Sequence, residues 1–179
     1  MKKIFRLLRY DWPLHFVLLF TNWLPDNVVF LQLRGWLASH FLGSCGKNLR
    51  LGRNITFYNP SQINLGKNIY IAFGCWINAD AKIEIHDEVQ IGPYCVVVSS
   101  DHQLILNSFR YSDPIKKPIR ICKGSWLGAH VVITAGTSIG ESSAIAAGAV
   151  VVDDVPTNAL AGGIPAKVIK KFENDDESS

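Results

Sequence analysis

Charge is scarce in this chain and nearly balanced. Of its 179 residues 18% are charged and the net charge is +3, too little for the basic surface that nucleic acid requires. No Cys-x-x-Cys pair and no His-x-x-x-x-His pair is present. The four cysteines, Cys45, Cys75, Cys95 and Cys122, therefore read as free packing thiols of a reducing compartment, not as disulfides or metal ligands. No apolar run reaches the roughly 20 residues that cross a bilayer. The longest candidate, Leu14 to Leu24, is interrupted by His15 and preceded by Asp11. No Ala-x-Ala cleavage site follows it, which argues against a secretory leader.

What the chain does have is a period of six. Ile121, Leu127, Ile133, Ile139, Ile145 and Val151 are all aliphatic. Four places after each stand Ser125, Val131, Thr137, Ser143, Ala149 and Val155, all small or β-branched. A helix repeats its apolar face at three and four, and a strand at two. A sustained period of six predicts an all-β solenoid of parallel strands, three hexapeptides to a coil, with the aliphatic residue pointing inward. The same register runs through Cys45, Leu51 and Phe57. It restarts with a two-residue shift at Leu65 and again at Ile85, read as slightly longer corners. Cys75 and Cys95 fall at the small inward position. Glycine follows the aliphatic residue at Gly46, Gly52, Gly66, Gly92, Gly128 and Gly140, where corners demand unusual backbone conformations.

The pattern divides the chain. Residues 1–44 lie outside the repeat and read as helix broken near Pro13 and Pro25, with a second helical stretch around Val28 to Phe41. Residues 45–172 form the solenoid, and 173–179 an acidic, disordered tail. The helical segment has two compatible readings. It caps the open end of the solenoid or packs on a neighbouring subunit. Its basic start (Lys2, Lys3, Arg6, Arg9) and its tryptophans also suit the anionic inner face of a cytoplasmic membrane, in peripheral association. The protein is expected in the cytoplasm.

One excursion, residues 98–118, interrupts the repeat. A long loop inside a regular array is usually functional. At its stem stands His102, anchored by rigid structure yet reaching solvent, as a general base must. The other histidines read as bland: His15 and His40 in the helical segment, His86 at a corner, His130 in a repeat. Asp101 or a backbone carbonyl is the expected partner that fixes the His102 tautomer.

From Ile121-Cys-Lys-Gly-Ser-Trp-Leu-Gly-Ala-His130 to Gly162-Gly-Ile-Pro-Ala-Lys167 the chain resembles the hexapeptide-repeat acyltransferases. Among them it is most similar to sugar O-acetyltransferases of the galactoside, maltose, nodulation and capsule or colanic-acid type. The resemblance implies a left-handed parallel β-helix and a homotrimer with each active site between two prisms. It also implies acetyl-CoA as cosubstrate, with no metal required. By the same resemblance His102 is the catalytic base and Asn78 contacts the acceptor. Trp126, Ala129 and Ala147 line the pantetheine arm, and Lys167 and Lys170 meet the CoA phosphates. Ala135 departs from the family's usual proline at that corner.

The expected reaction is direct transfer of acetyl to a hydroxyl of a sugar or polysaccharide intermediate, since no activated nucleophile is visible. A backbone N–H near Gly128 or Ala129 is the expected oxyanion donor. The alternatives are N-acetylation of a nucleotide amino-sugar and O-acetylation of serine. More remote are a zinc carbonic anhydrase, which needs three converging histidines, and a non-catalytic scaffold.

Overall fold

The structure, a computed structural model, describes residues 2–173. All of the expected acidic tail beyond Glu173 lies outside the described residues. Helix α1 (Lys2–Arg6) runs through a π-helical turn (Leu7–Asp11) directly into α2 (Trp12–Thr21). The break expected at Pro13 does not occur. Pro13 sits in the first turn of α2, just after the wider π turn, where its missing N–H and its ring are tolerated. The chain does turn at Pro25. Asn27 then caps α3 (Val28–Ser39), its side-chain oxygen accepting from the Phe30 N–H at 3.1 Å.

The helices pack on the first coil of a prism through Leu14, Leu18, Arg34, Gly35 and Ala38, all buried. Gly35 is required by contact. A Cβ there would lie 1.9 Å from the Leu49 carbonyl oxygen. Arg34 donates to the carbonyls of Leu51 at 2.6 Å, Thr21 at 3.1 Å and Leu24 at 3.1 Å, and to Asp26 at 3.1 Å. One buried guanidinium thus ties α3, the end of α2 and the first coil together.

The prism is a left-handed β-helix with three faces of stacked parallel strands. The first face holds Ser44–Cys45, Ile63–Leu65, Ile83–Ile85, Ile119–Ile121 and Ser138–Ile139. The second holds Arg50–Leu51, Tyr70–Ile71, Gln90–Ile91, Trp126–Leu127, Ala144–Ile145 and Ala159–Gly163. A final antiparallel strand, Ala166–Lys171, folds back on the last of these. The third face holds Thr56–Tyr58, Trp76–Asn78, Val96–Val98, Val132–Ile133 and Val150–Val151.

Identical positions stack coil on coil: Ile71 pairs with Ile91, Ile91 with Leu127, and Leu127 with Ile145. All four are buried, and the core is this continuous aliphatic column. The small inward position carries hydroxyls and thiols that donate to the next coil. Ser125 Oγ reaches the Gly140 carbonyl at 2.8 Å, and Ser143 Oγ the Pro156 carbonyl at 2.7 Å. Cys75 and Cys95 do the same toward Gly92 and Gly128, at 3.1 and 3.0 Å. Buried polar atoms are thereby satisfied without leaving the column.

Two expectations change. The two-residue shifts are not longer corners. They lengthen first-face strands, so that Ile63 with Leu65, and Ile83 with Ile85, both point inward around an outward residue. Strand alternation absorbs two residues without a change of face. The corner glycine at Gly128 is needed for space, not for a rare backbone conformation. Its Cβ would lie 2.7 Å from the Ala147 nitrogen in the next coil.

Candidate active site

Leaving the third face at Val98, the chain forms a short antiparallel stem, Ser100–Asp101 against Ile115–Lys116, before rejoining the first face at Ile119. His102 follows the stem directly and is exposed. The Asp101 carboxylate accepts from the His102 backbone N–H at 2.8 Å. It does not hold the imidazole as expected; among the described residues the ring has no hydrogen-bond partner in the chain. Beyond the stem the loop presents apolar side chains to solvent, with Leu106 92% and Tyr111 81% exposed.

Asn78 closes the third-face strand on the same edge of the prism, paired with Val98. Its amide donates to Asp80 at 3.4 Å, and its Oδ1 is buried with no partner among the described residues. Asp80 also accepts from Asn59 at 3.0 Å and from Ser100 at 2.8 Å. Its carboxylate therefore pins the loop stem from below. Asp80 was not singled out from sequence. Its signal is the coil period: Asn59, Asp80 and Ser100 stand about one coil apart and stack.

The other candidates occupy a different edge. Ala129 and Ala147 stand at the corner between the second and third faces, on adjacent coils, linked by the Gly148 N–H to the Ala129 carbonyl at 2.9 Å. The Gly128 N–H is already committed to the Ile145 carbonyl at 2.8 Å. Among the described residues the Ala129 and Ala147 N–H groups have no partner, so of the two expected oxyanion donors only Ala129 is free. Trp126 is 53% exposed on the second face. It walls an open groove of about 430 Å³ shared with Tyr70, Phe73, Gln90, Pro93 and Asp26. Along the same edge Tyr94 stacks on His130, with ring centroids 5.0 Å apart, and Phe73 meets Tyr94 edge-on. These aromatics make one side of the corner a rigid apolar wall.

Lys167 and Lys170 lie on the closing antiparallel strand. Lys167 pairs with Asp153 at 3.2 Å, both exposed, and Lys170 lies 5.4 Å from the Phe172 ring centre. Three of the four thiols are poor nucleophiles, and the fourth, Cys95, whose pKa a hydrogen bond with Cys75 lowers, is buried in the column. Burial pushes Cys45 up to about 11 and raises Cys122, while a hydrogen bond with Cys95 and burial raise Cys75. His86, His102 and His130 sit on three different edges, so their imidazoles do not converge within one chain. Among the described residues no group of three His, Cys, Asp or Glu side chains is arranged to hold a metal.

His102 and the Ala129–Ala147 corner thus flank the third face on opposite sides. One chain does not bring the candidate base and the candidate cofactor corner together.

No family model matches the chain. It is 31% identical over 147 residues to galactoside O-acetyltransferase of Escherichia coli K12, covering 82% of this chain and 72% of that protein. It superposes on a hexapeptide-repeat acetyltransferase of Vibrio cholerae complexed with acetyl-CoA. There the TM-score is 0.78 at 27% identity, over 90% of this chain and 86% of the other. Against a galactoside acetyltransferase in complex with coenzyme A the TM-score is 0.81 at 28% identity, over 93% and 82%. With its six-residue period, its prism and these relatives, the chain belongs to the hexapeptide-repeat acetyltransferases of left-handed β-helix fold, and it is an acyltransferase.

Proposed function

We propose that the protein is an acetyl-CoA-dependent O-acetyltransferase. It modifies a hydroxyl of a sugar or glycan intermediate and works as a cyclic homotrimer with His102 as general base. The observation that carries this reading is the separation of His102 from the Ala129–Ala147 corner. A site needing both groups is assembled by two adjacent chains, and three-fold closure supplies three such sites. The exposed apolar loop, with Leu106 and Tyr111 in solvent, supports the same packing.

In this arrangement the loop carries His102 to the corner of the neighbouring prism. The small side chains of Ala129 and Ala147 let the pantetheine arm of acetyl-CoA approach their unpartnered N–H groups. Lys167 and Lys170 act as point charges toward its phosphates. His102 takes the proton of the acceptor hydroxyl as the oxygen attacks the thioester carbonyl. The Ala129 N–H donates to the oxyanion. The C–S bond then breaks, and the imidazolium returns its proton to the departing thiolate. No acyl-enzyme forms.

The test is an acceptor screen that reads free CoA thiol. Sugars and glycan intermediates with free hydroxyls should release CoA in proportion to product. Turnover confined to amino-sugar nucleotides or to serine would replace the O-acetylated sugar with one of those acceptors. Mass determination by light scattering tests the trimer separately.

A further inference from the structure

The helical segment hides one side and exposes the other. Leu14, Leu18 and Thr21 are buried on the prism. On the opposite side Ile4, Phe5, Leu8, Trp12, Phe16, Leu19, Phe20 and Trp23 recur at helical spacing, each 48–77% exposed. Phe16 and Phe20 stack on each other with centroids 6.2 Å apart and remain 48% and 68% exposed. On α3 the side chains of Val28, Val29 and Trp36 are likewise in solvent. From Trp12 to Pro25 no residue carries Lys, Arg, Asp or Glu charge. An apolar stripe this long exceeds what a soluble surface usually carries without function.

We propose that this stripe is a docking surface for the anionic face of a lipid bilayer, in which the helix lies along the interface. Charge chooses the occupant. The first 40 residues hold five basic and two acidic residues, and the remaining 139 hold thirteen of each, so the whole net charge of +3 resides in the segment that bears the stripe. Lys2, Lys3, Arg6 and Arg9 lead into it, with Asp11 the only acidic residue before Asp26. Anionic headgroups attract such a cluster, and the attraction falls off within a Debye length of about 10 Å at 0.1 M salt. Three tryptophans, Trp12, Trp23 and Trp36, have the amphipathic ring that settles at headgroup depth. Insertion across the membrane is not the mode: among the described residues no helix is long and apolar enough to cross. A second copy of the chain would match the stripe's apolar character but would oppose its like charge. The stripe lies on the amino-terminal cap and uses none of the residues of the proposed active site, so it stands or falls independently of the acceptor.

The experiment is flotation of the full-length protein with two kinds of vesicle, phosphatidylcholine alone and phosphatidylcholine with phosphatidylglycerol, at low and high salt. The expected result is flotation with the anionic vesicles at low salt, at least tenfold less with neutral vesicles, and release as salt rises. A Leu8→Glu, Phe20→Glu double variant should lose at least tenfold of the bound fraction while keeping its solution mass and thermal midpoint. Trp23→Glu serves as a second variant should the double one misfold. Absence of flotation at low salt, or undiminished flotation of a folded variant, overturns the proposal. So does a fall in solution mass on introducing the charges, which would assign the stripe to a second copy of the chain.

Discussion

The guanidinium of Arg34 donates to the main-chain carbonyl of Leu51 at 2.6 Å, and no part of the Arg34 side chain reaches solvent. The same group satisfies the carbonyls at the end of α2 and pairs with Asp26. Arg34→Leu keeps some of the volume but leaves these carbonyls without their donor, while Asp26 keeps Arg53 as a partner. We expect a loss of about 3–5 kcal/mol in urea unfolding, from roughly 1–3 kcal/mol for each carbonyl left without a donor. A loss near zero would mean that the cap is held by apolar packing alone.

His102→Ala should lower acetyl transfer by about 10²–10⁴-fold. The acetyl-CoA KM should stay nearly constant, because the cofactor corner is built from other residues. Near-normal turnover in a folded variant would remove His102 from the mechanism.

Sites built between chains permit complementation. A bulky Ala147→Trp variant obstructs the corner, and His102→Ala removes the base. Each alone should be inactive. Co-refolded in equal amounts, they place an intact base beside an intact corner at about a quarter of the interfaces, by random assembly around a three-fold axis. Recovery of activity on mixing is expected. Its absence, with mixed trimers verified by mass, would mean that each chain completes its own site.

Lys167 and Lys170 are exposed on the closing strand and weakly engaged. Replacing both with alanine should raise the acetyl-CoA KM by about three- to tenfold and leave kcat unchanged, the signature of uniform binding. The effect should fade at high salt. A fall in kcat at constant KM would give them another role.

The raised thiols bear on the proposal that no acyl-enzyme forms. A group whose pKa rises stays protonated to higher pH, so Cys45, raised to about 11, carries little thiolate at pH 8. Iodoacetamide should label it about two orders of magnitude more slowly than an ordinary thiol, with reactivity recovering only as pH climbs toward that value. Turnover should survive the treatment. Rapid single-site labelling that abolishes activity would point to a cysteine nucleophile.

The prism was legible in the sequence because a solenoid repeats its environment. Each aliphatic residue from Ile121 to Val151 meets the same neighbours one coil away, so a local pattern encodes a global shape. The excursion at 98–118 was legible for the same reason, as an interruption of regularity. What only the tertiary structure decided is where the corners fall relative to one another. Strand lengthening at Ile63–Leu65 and Ile83–Ile85 preserves the faces, and the stem after Val98 sets His102 on the edge opposite Ala129. The Arg34 clasp and the continuity of helix through Pro13 were likewise invisible. Each joins residues unrelated by the period, or depends on a turn geometry that composition does not record. Spacing along the chain determines which residues face the axis; three-dimensional closure determines which edges, and so which functional groups, can meet.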